Sequence, residues 1–248
     1  MLSVLFVKVF SLLGGMLLVT AAMAKINKAY ETKAEFIGTI LLSFILLFLV
    51  VGFSDHYPIN IIMVALFSAV VGWSVGPSIT HLSIRYERNK FLKERGIAKE
   101  DIHTLSPEIQ LELDTRIQNP QYKEQWQKIV NKAILGVALS VILTAAIVYL
   151  SPVDFGYLGG FLLISLILLI VMGLANVFYF KSERLSLIKS YIGALIFIIY
   201  LLYDFNQLEK LHALGETSWQ AAIDVAVNIY LDMINLFLDL LEILADSD

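Results

Sequence analysis

The chain reads Asp224-Val-Ala-Val-Asn-Ile-Tyr-Leu-Asp-Met-Ile-Asn-Leu-Phe-Leu-Asp-Leu-Leu-Glu-Ile-Leu-Ala-Asp246 near its C-terminus. Seven polar side chains recur in this segment, at spacings of 4, 4, 3, 4, 3 and 4 residues: Asp224, Asn228, Asp232, Asn235, Asp239, Glu242 and Asp246. At the pitch of an α-helix, these spacings gather the polar side chains into an arc of about 80°. The remaining positions are apolar, so the segment predicts a helix with a single polar stripe. The rest of the chain decides whether that stripe meets water or the inside of a membrane bundle.

The composition places the chain in a bilayer. Hydrophobic residues make up 58% of the sequence and charged residues only 16%, and the mean hydropathy is +0.76, which nearly excludes a soluble fold. Segments with few or no charges, long enough to cross about 30 Å of hydrocarbon, run over 4–24, 36–53, 59–82, 133–150, 155–180 and 185–203, and the striped helix adds 219–244. The sequence therefore predicts an all-α integral membrane protein with seven transmembrane helices.

The basic residues between the predicted spans indicate the orientation of the chain. The links after the first, third and fifth spans carry three, ten and three Lys or Arg residues, whereas the links after the second, fourth and sixth carry none, none and one. Because basic links stay in the cytoplasm, we expect the N-terminus outside and the acidic C-terminus in the cytoplasm. This charge distribution suits cations rather than nucleic acid.

Residues 84–132 form the one large polar segment of a chain that we otherwise predict to be a single membrane domain, 1–248. We expect this charged segment to be a cytoplasmic insertion of two or three short helices between the third and fourth spans. Ser106 and Pro107 are typical of a helix start, with Ser at the N-cap and Pro at the first helical position. The insertion is either a solvated hairpin or a docking site for a partner membrane protein.

Two aspartates lie in neighbouring spans. Asp204 ends the sixth predicted span and Asp232 lies in the seventh, and a link of about fifteen residues makes these helices antiparallel neighbours. Asp204 is near the predicted helix end, so direct contact requires the sixth helix to extend or tilt past it. Two carboxyl groups in contact in a low-dielectric interior cannot both ionise easily, and they titrate as a coupled pair. Such a pair can act as a proton sensor, a cation ligand or a proteolytic dyad.

The closing segment, Asn228-Ile-Tyr-Leu-Asp-Met-Ile-Asn-Leu-Phe-Leu-Asp-Leu-Leu241, resembles the signature of the Bax inhibitor 1 family, the transmembrane Bax inhibitor motif proteins. Three more segments agree with the family in order: Phe6-Val-Lys-Val-Phe10, Leu66-Phe-Ser-Ala-Val-Val-Gly-Trp-Ser-Val-Gly-Pro77 and Leu158-Gly-Gly-Phe-Leu162. The resemblance covers almost the whole chain and is that of a bacterial-type member. It does not cover 84–132, where family members usually have a short link.

The resemblance implies a seven-helix bundle that leaks calcium in a pH-dependent way. Asp204 and Asp232 then resemble the di-aspartyl sensor of the family, and an oxygen-only acidic site suits a hard cation such as Ca²⁺. We expect Asn228, Asn235 and Asp239 to line the exit toward the cytoplasm. The expected partners are membrane lipid and the calcium ion, without nucleic acid, and we expect no cofactor beyond Ca²⁺ as the permeant or bound ion.

In bacterial relatives, a basic residue near the second span is thought to latch onto the sixth-helix aspartate. This sequence has no Lys or Arg between Lys33 and Arg85, and His56 is the only basic candidate near the second span. Either the latch is this histidine, which would make gating more acid-sensitive, or the latch is absent.

The sequence predicts a protein that is not an enzyme. An aspartyl intramembrane protease also places aspartates on two adjacent helices, but it carries Gly-x-Gly-Asp and Pro-Ala-Leu motifs that this chain lacks. The stretch Gly72-Trp-Ser-Val-Gly76 matches the G-x-S-x-G pattern of serine hydrolases, yet it lies inside an apolar span and fits a helix-packing face better.

The remaining alternative is a non-conducting regulator that binds another membrane protein, such as a membrane protease, through 84–132. We expect the membrane to be a bacterial inner membrane rather than the endoplasmic reticulum, because the tail Ala245-Asp-Ser-Asp248 has no retention signal.

Overall fold

The computed structural model describes residues 4–97, 107–117 and 119–247. Within these residues the chain forms eight α-helices: α1 (Val4–Ile26), α2 (Lys33–Gly52), α3 (Ile59–Arg95), α4 (Pro107–Ile117), α5 (Pro120–Leu150), α6 (Gly159–Ala175), α7 (Glu183–Ala213) and α8 (Trp219–Ser247). A 3₁₀ turn, Phe155–Leu158, precedes α6, and a π-helical turn, Asn176–Phe180, follows it. All of these helices except α4 are long and apolar enough to cross a membrane, counting the two short turns with α6. The predicted all-α membrane protein with seven transmembrane helices is confirmed.

Local sequence explains where several of the helices begin and end. The side chains of Thr32, Asn119 and Ser182 accept hydrogen bonds from backbone amides in the first turns of α2, α5 and α7, which satisfies donors that a helix leaves unpaired. Gly96 ends α3 in the left-handed conformation, which glycine adopts without steric cost. These caps fix the helix ends outside the apolar spans.

Three helices extend beyond the spans predicted from hydropathy. Helix α3 continues to Arg95 instead of ending near 82, α5 begins at Pro120 instead of 133, and α7 continues to Ala213 instead of ending near 203. The polar residues in these extensions kept hydropathy from predicting them, whereas nothing in their sequence breaks a helix. Among the described residues of the predicted insertion 84–132, α4 is the short helix that is separate from α3 and α5. It begins at Pro107, as predicted, and Ser106 lies outside the described residues.

Helix α8 lies at the centre of the bundle and packs against α7, α1, α5 and α3. Its apolar side chains are fully buried at positions spread around the helix: Ala222, Ile223, Ala226, Ile229, Tyr230, Leu236 and Leu241. Lipid tails are as apolar as leucine, so packing and hydrogen bonds hold such a helix in place rather than the hydrophobic effect. The middle of the polar stripe, from Asp232 to Glu242, is therefore surrounded by protein.

A small-residue face on α3 packs closely against α1. A Cβ atom added to Gly72 would lie 2.6 Å from the carbonyl oxygen of Thr20, and one added to Gly76 would collide with the carbonyl oxygens of Asn27 and Ala24. The predicted packing role of these two glycines is therefore borne out by their contacts. Ser74, between them, lies within continuous helix and hydrogen-bonds the Val70 carbonyl at 3.4 Å, so the strained elbow of a serine hydrolase does not form here.

The bundle has a basic end, where α1 and α3 finish and α2, α5 and α7 begin. There α4 is held against α3 by ion pairs of Arg116 with Glu87 and Glu94, and of Arg95 with Glu112. Hydrogen bonding to Glu94 raises the pKa of the Arg116 guanidinium above its ordinary value, with a further contribution from Glu87. The described part of the insertion is thus attached to the membrane bundle by charged contacts.

Candidate functional site

The interface between α7 and α8 brings Asp204 and Asp232 together in the bundle interior. Both residues are buried, with 4% and 6% of their surface exposed, and their side chains lie within hydrogen-bonding distance of each other. One oxygen of each carboxyl group, Oδ2, is fully buried and has no hydrogen-bond partner outside the pair. The contact forms because α7 continues for nine residues beyond Asp204. The sequence predicts that the two side chains meet only with such an extension or with a tilt of the helix. We call these two residues the aspartate pair.

The chemistry of the aspartate pair follows from what surrounds it. Neither carboxyl group forms an ion pair with a basic side chain in the part of the chain that the structure describes. Two adjacent carboxylates without a cation repel each other strongly in a low-dielectric interior. The hydrogen bond between them therefore requires a shared proton, which a bound cation can replace.

Helices α7 and α8 make a different contact nearer the basic end, one helical turn beyond Asn235. Asp239 is buried, with 4% of its surface exposed, and Lys189 Nζ donates a hydrogen bond to its Oδ1 atom at 3.2 Å. The carboxyl group lies directly against the Cα of Gly193, where an added Cβ atom would be 3.0 Å from Asp239 Cγ and closer still to Oδ2. At this level a basic side chain neutralises the acid.

A second acid–base contact lies one further turn toward the basic end. Arg85 Nη1 of α3 approaches Glu242 Oε1 to 2.9 Å, and both side chains are about nine-tenths buried. Ser190 Oγ donates a hydrogen bond to Glu242 Oε2 at 2.8 Å. Glu242 Oε1 has no partner with hydrogen-bond geometry, so its contact with Arg85 is an ion pair that is not aligned as a hydrogen bond.

Two cavities lie along this side of α8. The mid-bundle cavity, of about 480 Å³, is lined by residues of α2, α3, α6, α7 and α8, and Ser43 and Asn235 are among its polar lining residues. The basic-end cavity, of about 780 Å³, is lined by polar residues of the α1–α2 link, α3, α7 and α8, including Lys28, Ser78 and Arg85. The aspartate pair lines neither cavity, although Leu231, beside Asp232, lines the mid-bundle cavity.

The predicted exit-lining residues fall into two groups. Asn235 and Asp239 line the mid-bundle cavity together, whereas Asn228 is exposed and is absent from its wall. Asn228 lies nearer the N-terminal end of α8, where the stripe emerges from the cover of α7, as the exposed Asp224 also shows. Their spacing predicted that all three lie on one face of α8. It did not predict which part of that face the neighbouring helices cover.

The structure does not bring the proposed latch residue to the aspartate pair. His56 lies in the exposed turn between α2 and α3, where it pairs with Asp55 and its ring contacts Phe53. None of the contacts that the structure gives His56 involves Asp204. In this conformation of the described residues, the predicted histidine latch is not formed.

The ion-paired contacts at the basic end were not predicted as site residues. Lys189 and Arg85 were counted only as basic residues of the links, because the predicted spans gave them no inward-facing position. The signal was present on α7, where Ser186, Ser190, Gly193 and Asp204 lie at spacings of 4, 3 and 11 residues and so share one helical face. Small and polar residues on one face of a membrane helix mark the side that packs on another helix.

The described residues hold no cluster of three or more acidic, histidine or cysteine side chains that could bind a metal ion. The aspartate pair alone offers two carboxyl groups, and tight calcium sites in proteins use six to eight oxygen ligands. The geometry therefore suits a cation that passes the pair or binds weakly, rather than a resident metal.

Residues 121–248 match the family model described as Inhibitor of apoptosis-promoting Bax1, Bax1-I. This stretch contains α5 to α8, and with them the aspartate pair and the acids of both ion-paired contacts.

Curated relatives that are similar to the chain include plant, viral and bacterial proteins. Protein LIFEGUARD 1 of Arabidopsis thaliana is 24% identical over 250 residues, which cover 96% of this chain and 87% of the relative. The Golgi anti-apoptotic protein of vaccinia virus (strain Lister) is 39% identical over 95 residues, covering 38% of each protein. An uncharacterized protein of Campylobacter jejuni is 36% identical over 91 residues, covering 37% of this chain and 36% of the relative. The similarity thus reaches plant, viral and bacterial proteins.

Proposed function

The chain belongs to the Bax1-I family, Inhibitor of apoptosis-promoting Bax1, and from this premise we propose that it is a pH-sensitive calcium leak channel gated by the aspartate pair. The single observation that carries the proposal is the contact between Asp204 and Asp232 in the bundle interior, where no basic side chain of the described residues neutralises it. An ionisable residue inside a membrane bundle marks an ion path or a proton relay.

The pair supports pH sensing because its charge depends on one shared proton. While the proton is bound, the two carboxyl groups hydrogen-bond and hold α7 against α8. When the proton leaves, the repulsion between two buried carboxylates favours either separation of the helices or entry of a cation. A divalent cation compensates both charges at once, which favours Ca²⁺ over K⁺ at this position.

The proposed path continues from the aspartate pair toward the basic end. Asn235 and Asp239 offer oxygen atoms in the mid-bundle cavity, and the basic-end cavity follows beyond them. We place the basic end in the cytoplasm by the charge of its links, which puts the N-terminus outside. A bacterial inner membrane is the proposed location, and one of the similar proteins is bacterial.

Calcium flux into proteoliposomes loaded with a calcium dye tests this function at about pH 6, 7 and 8. We expect the flux of the wild type to vary with pH, and Asp204→Asn and Asp232→Asn to lose that variation because an amide cannot release the proton. Asp224→Asn is the matched control, since Asp224 lies on the same stripe but is exposed. Absence of flux above that of empty liposomes, from protein shown to be folded, would contradict the leak function.

A second candidate function is regulation of another membrane protein without conduction. It is favoured by α4, which ion pairs fix against α3 and which leaves Leu111 68% exposed. A rigid, charged helix with an exposed leucine suits a docking surface. A pull-down that Leu111→Ser abolishes, and that Asp204→Asn and Asp232→Asn leave intact, would support this function over the leak.

A further inference from the structure

The contact between Lys189 and Asp239 lies at the boundary between the two cavities. The walls of the mid-bundle cavity and of the basic-end cavity share three residues: Lys189, Leu238 and Asp239. No other residue belongs to both walls among the residues that line them. The two cavities are therefore separated at this level by side chains, two of them charged and one apolar.

The boundary between the two cavities is formed by a rigid residue, Asp239, and a flexible one, Lys189. Asp239 is buried and fits against the bare Cα of Gly193, which leaves its carboxyl group little room to move. Lys189 has a side chain 29% exposed and reaches the carboxylate through a flexible four-carbon stem. Rotation of the lysine alone would remove the ammonium group from between the cavities, without movement of a helix.

We propose that Lys189 and Asp239 form an inner gate, in which the ammonium group of Lys189 is a tethered cation held at the carboxylate that a permeating cation would otherwise contact. This inference rests on the proposed leak function, and adds to it a second closure point that is distinct from the aspartate pair. The gate also sets a charge preference. The Coulomb repulsion between the ammonium group and a permeating ion is twice as large for Ca²⁺ as for K⁺ at the same distance.

Cysteine accessibility tests the gate without any measurement of ion flux. The natural chain has no cysteine, so a single introduced thiol reports alone. Ser43→Cys places it in the mid-bundle cavity and Ser78→Cys places it in the basic-end cavity. A membrane-impermeant, positively charged methanethiosulfonate reagent is added to vesicles of uniform orientation, from the side that modifies Ser78→Cys.

Each cysteine is introduced into two proteins, the wild type and the double variant Lys189→Gln/Asp239→Asn. The double substitution removes both charges of the gate and keeps a hydrogen-bonding pair, so it should open the gate. We expect Ser43→Cys to be protected in the wild-type background and modified at least several-fold faster in the double variant. Ser78→Cys should react equally in both backgrounds. The matched control is Lys210→Gln/Asp154→Asn, which neutralises an ion pair at the opposite end of the bundle and should leave Ser43→Cys protected.

Equal modification of Ser43→Cys in the wild-type and double-variant backgrounds would overturn the gate, because the pair would then not separate the cavities. Absence of modification in both would overturn it as well, since the mid-bundle cavity would not be reached through this pair. Calcium flux distinguishes this inference from the proposed function. If accessibility changes as expected while neither protein conducts Ca²⁺, the gate stands and the leak function fails. If the gate and the leak function both hold, the double variant conducts Ca²⁺ faster than the wild type. Its K⁺ flux should increase by a smaller factor, and its Ca²⁺ flux should keep the same pH dependence.

Discussion

Helices α7 and α8 bury acidic side chains at two levels, and the acids have different partners at each level. Toward the end where α8 begins, Asp204 faces Asp232, and no basic side chain among the described residues forms an ion pair with either. Toward the basic end, Asp239 faces Lys189 and Glu242 faces Arg85. All four acids are 4% to 7% exposed, so burial does not distinguish the two levels. The difference is the partner: at one level it is a second carboxyl group, and at the other it is a basic side chain.

Under the proposed function, the aspartate pair senses pH and the ion-paired contacts support the structure, within one interface. At the ion-paired level each acid lies against a basic side chain. Among the described residues the aspartate pair has no such partner, so a proton gained or lost there changes a charge that no neighbouring cation balances. We therefore expect mutations at the ion-paired level to act mainly on stability and access, and mutations at the aspartate pair to act mainly on pH dependence.

The largest effect should come from breaking the ion pair between Arg85 and Glu242. Arg85→Met leaves a buried carboxylate without its cation, and we expect the unfolding free energy to fall by about 3 to 5 kcal/mol. Thermal unfolding in detergent measures the change. The matched control is the double variant Arg85→Met/Glu242→Leu, which removes both charges and should recover most of the loss. A double variant as unstable as Arg85→Met would mean that the pair stabilises through its shape and not through charge.

A smaller loss should follow Gly193→Ala. The new methyl group would meet the carboxyl group of Asp239 and displace it from Lys189, at a cost of about 1 to 3 kcal/mol for overpacking. Gly160→Ala is the control, because nothing lies within 4 Å of a Cβ atom there and alanine favours a helix over glycine. We expect the control to be as stable as the wild type or more so in the same unfolding assay. Equal stability of the two variants would contradict the close contact between Gly193 and Asp239.

The aspartate pair should tolerate a conservative substitution better than either of these sites. Asp204→Asn keeps the size of the side chain and can donate an amide hydrogen bond to Asp232, so we expect a change within about 1 kcal/mol. Asp204→Leu removes the bond and leaves Asp232 buried alone, at a cost of about 1 to 3 kcal/mol. Unfolding of the two variants at one fixed pH measures the difference. If Asp204→Asn proves as unstable as Asp204→Leu, the pair does not depend on a hydrogen bond that an amide can replace.

The sequence predicted the membrane spans and the positions of the buried acids better than it predicted which side chains contact those acids. Length and hydropathy were enough for the seven spans, and the 3–4 spacing of the stripe on α8 placed Asp232 and Asp239 on one face. The short link predicted that Asp204 and Asp232 lie on antiparallel neighbouring helices, and their contact depended on α7 continuing past Asp204. Such features are local in the sequence, so they can be seen without the fold.

The partners of Asp239 and Glu242 could not be predicted because they depend on helix length and register. Lys189 and Arg85 lie near the ends of hydrophobic spans, where basic residues normally reach water. Only the continuation of α3 to Arg95, together with the register of α7 on α8, turns both side chains inward. His56 shows the reverse case, since its place between two spans suggested contact with the bundle, but its own turn directs it to Asp55.

The smallest effect should come from an acid–base contact of the same type placed in solvent. Asp154, in the link before α6, accepts hydrogen bonds from Lys210 at 2.7 Å and from Asn206 at 3.0 Å. Hydrogen bonding to Lys210, to the Gly156 amide and to Asn206 lowers the pKa of Asp154 to about 2. A lowered pKa in the folded state means that the contact stabilises the fold above the ordinary aspartate value of 3.8 and loses this contribution as the pH falls to about 2.

Because Asp154 and Lys210 are largely exposed, solvent screens their charges. We therefore expect Asp154→Asn to lower the Tm at pH 6 by at most about 2 °C. The difference from wild type should disappear toward pH 2, and Lys210→Gln should match it at pH 6. A difference that persists unchanged at low pH would assign the effect to the hydrogen bonds of the Asp154 side chain with Gly156 and Asn206 rather than to its charge. The comparison with Arg85→Met then isolates burial, since the two contacts pair a carboxylate with a cation and differ mainly in their exposure to water.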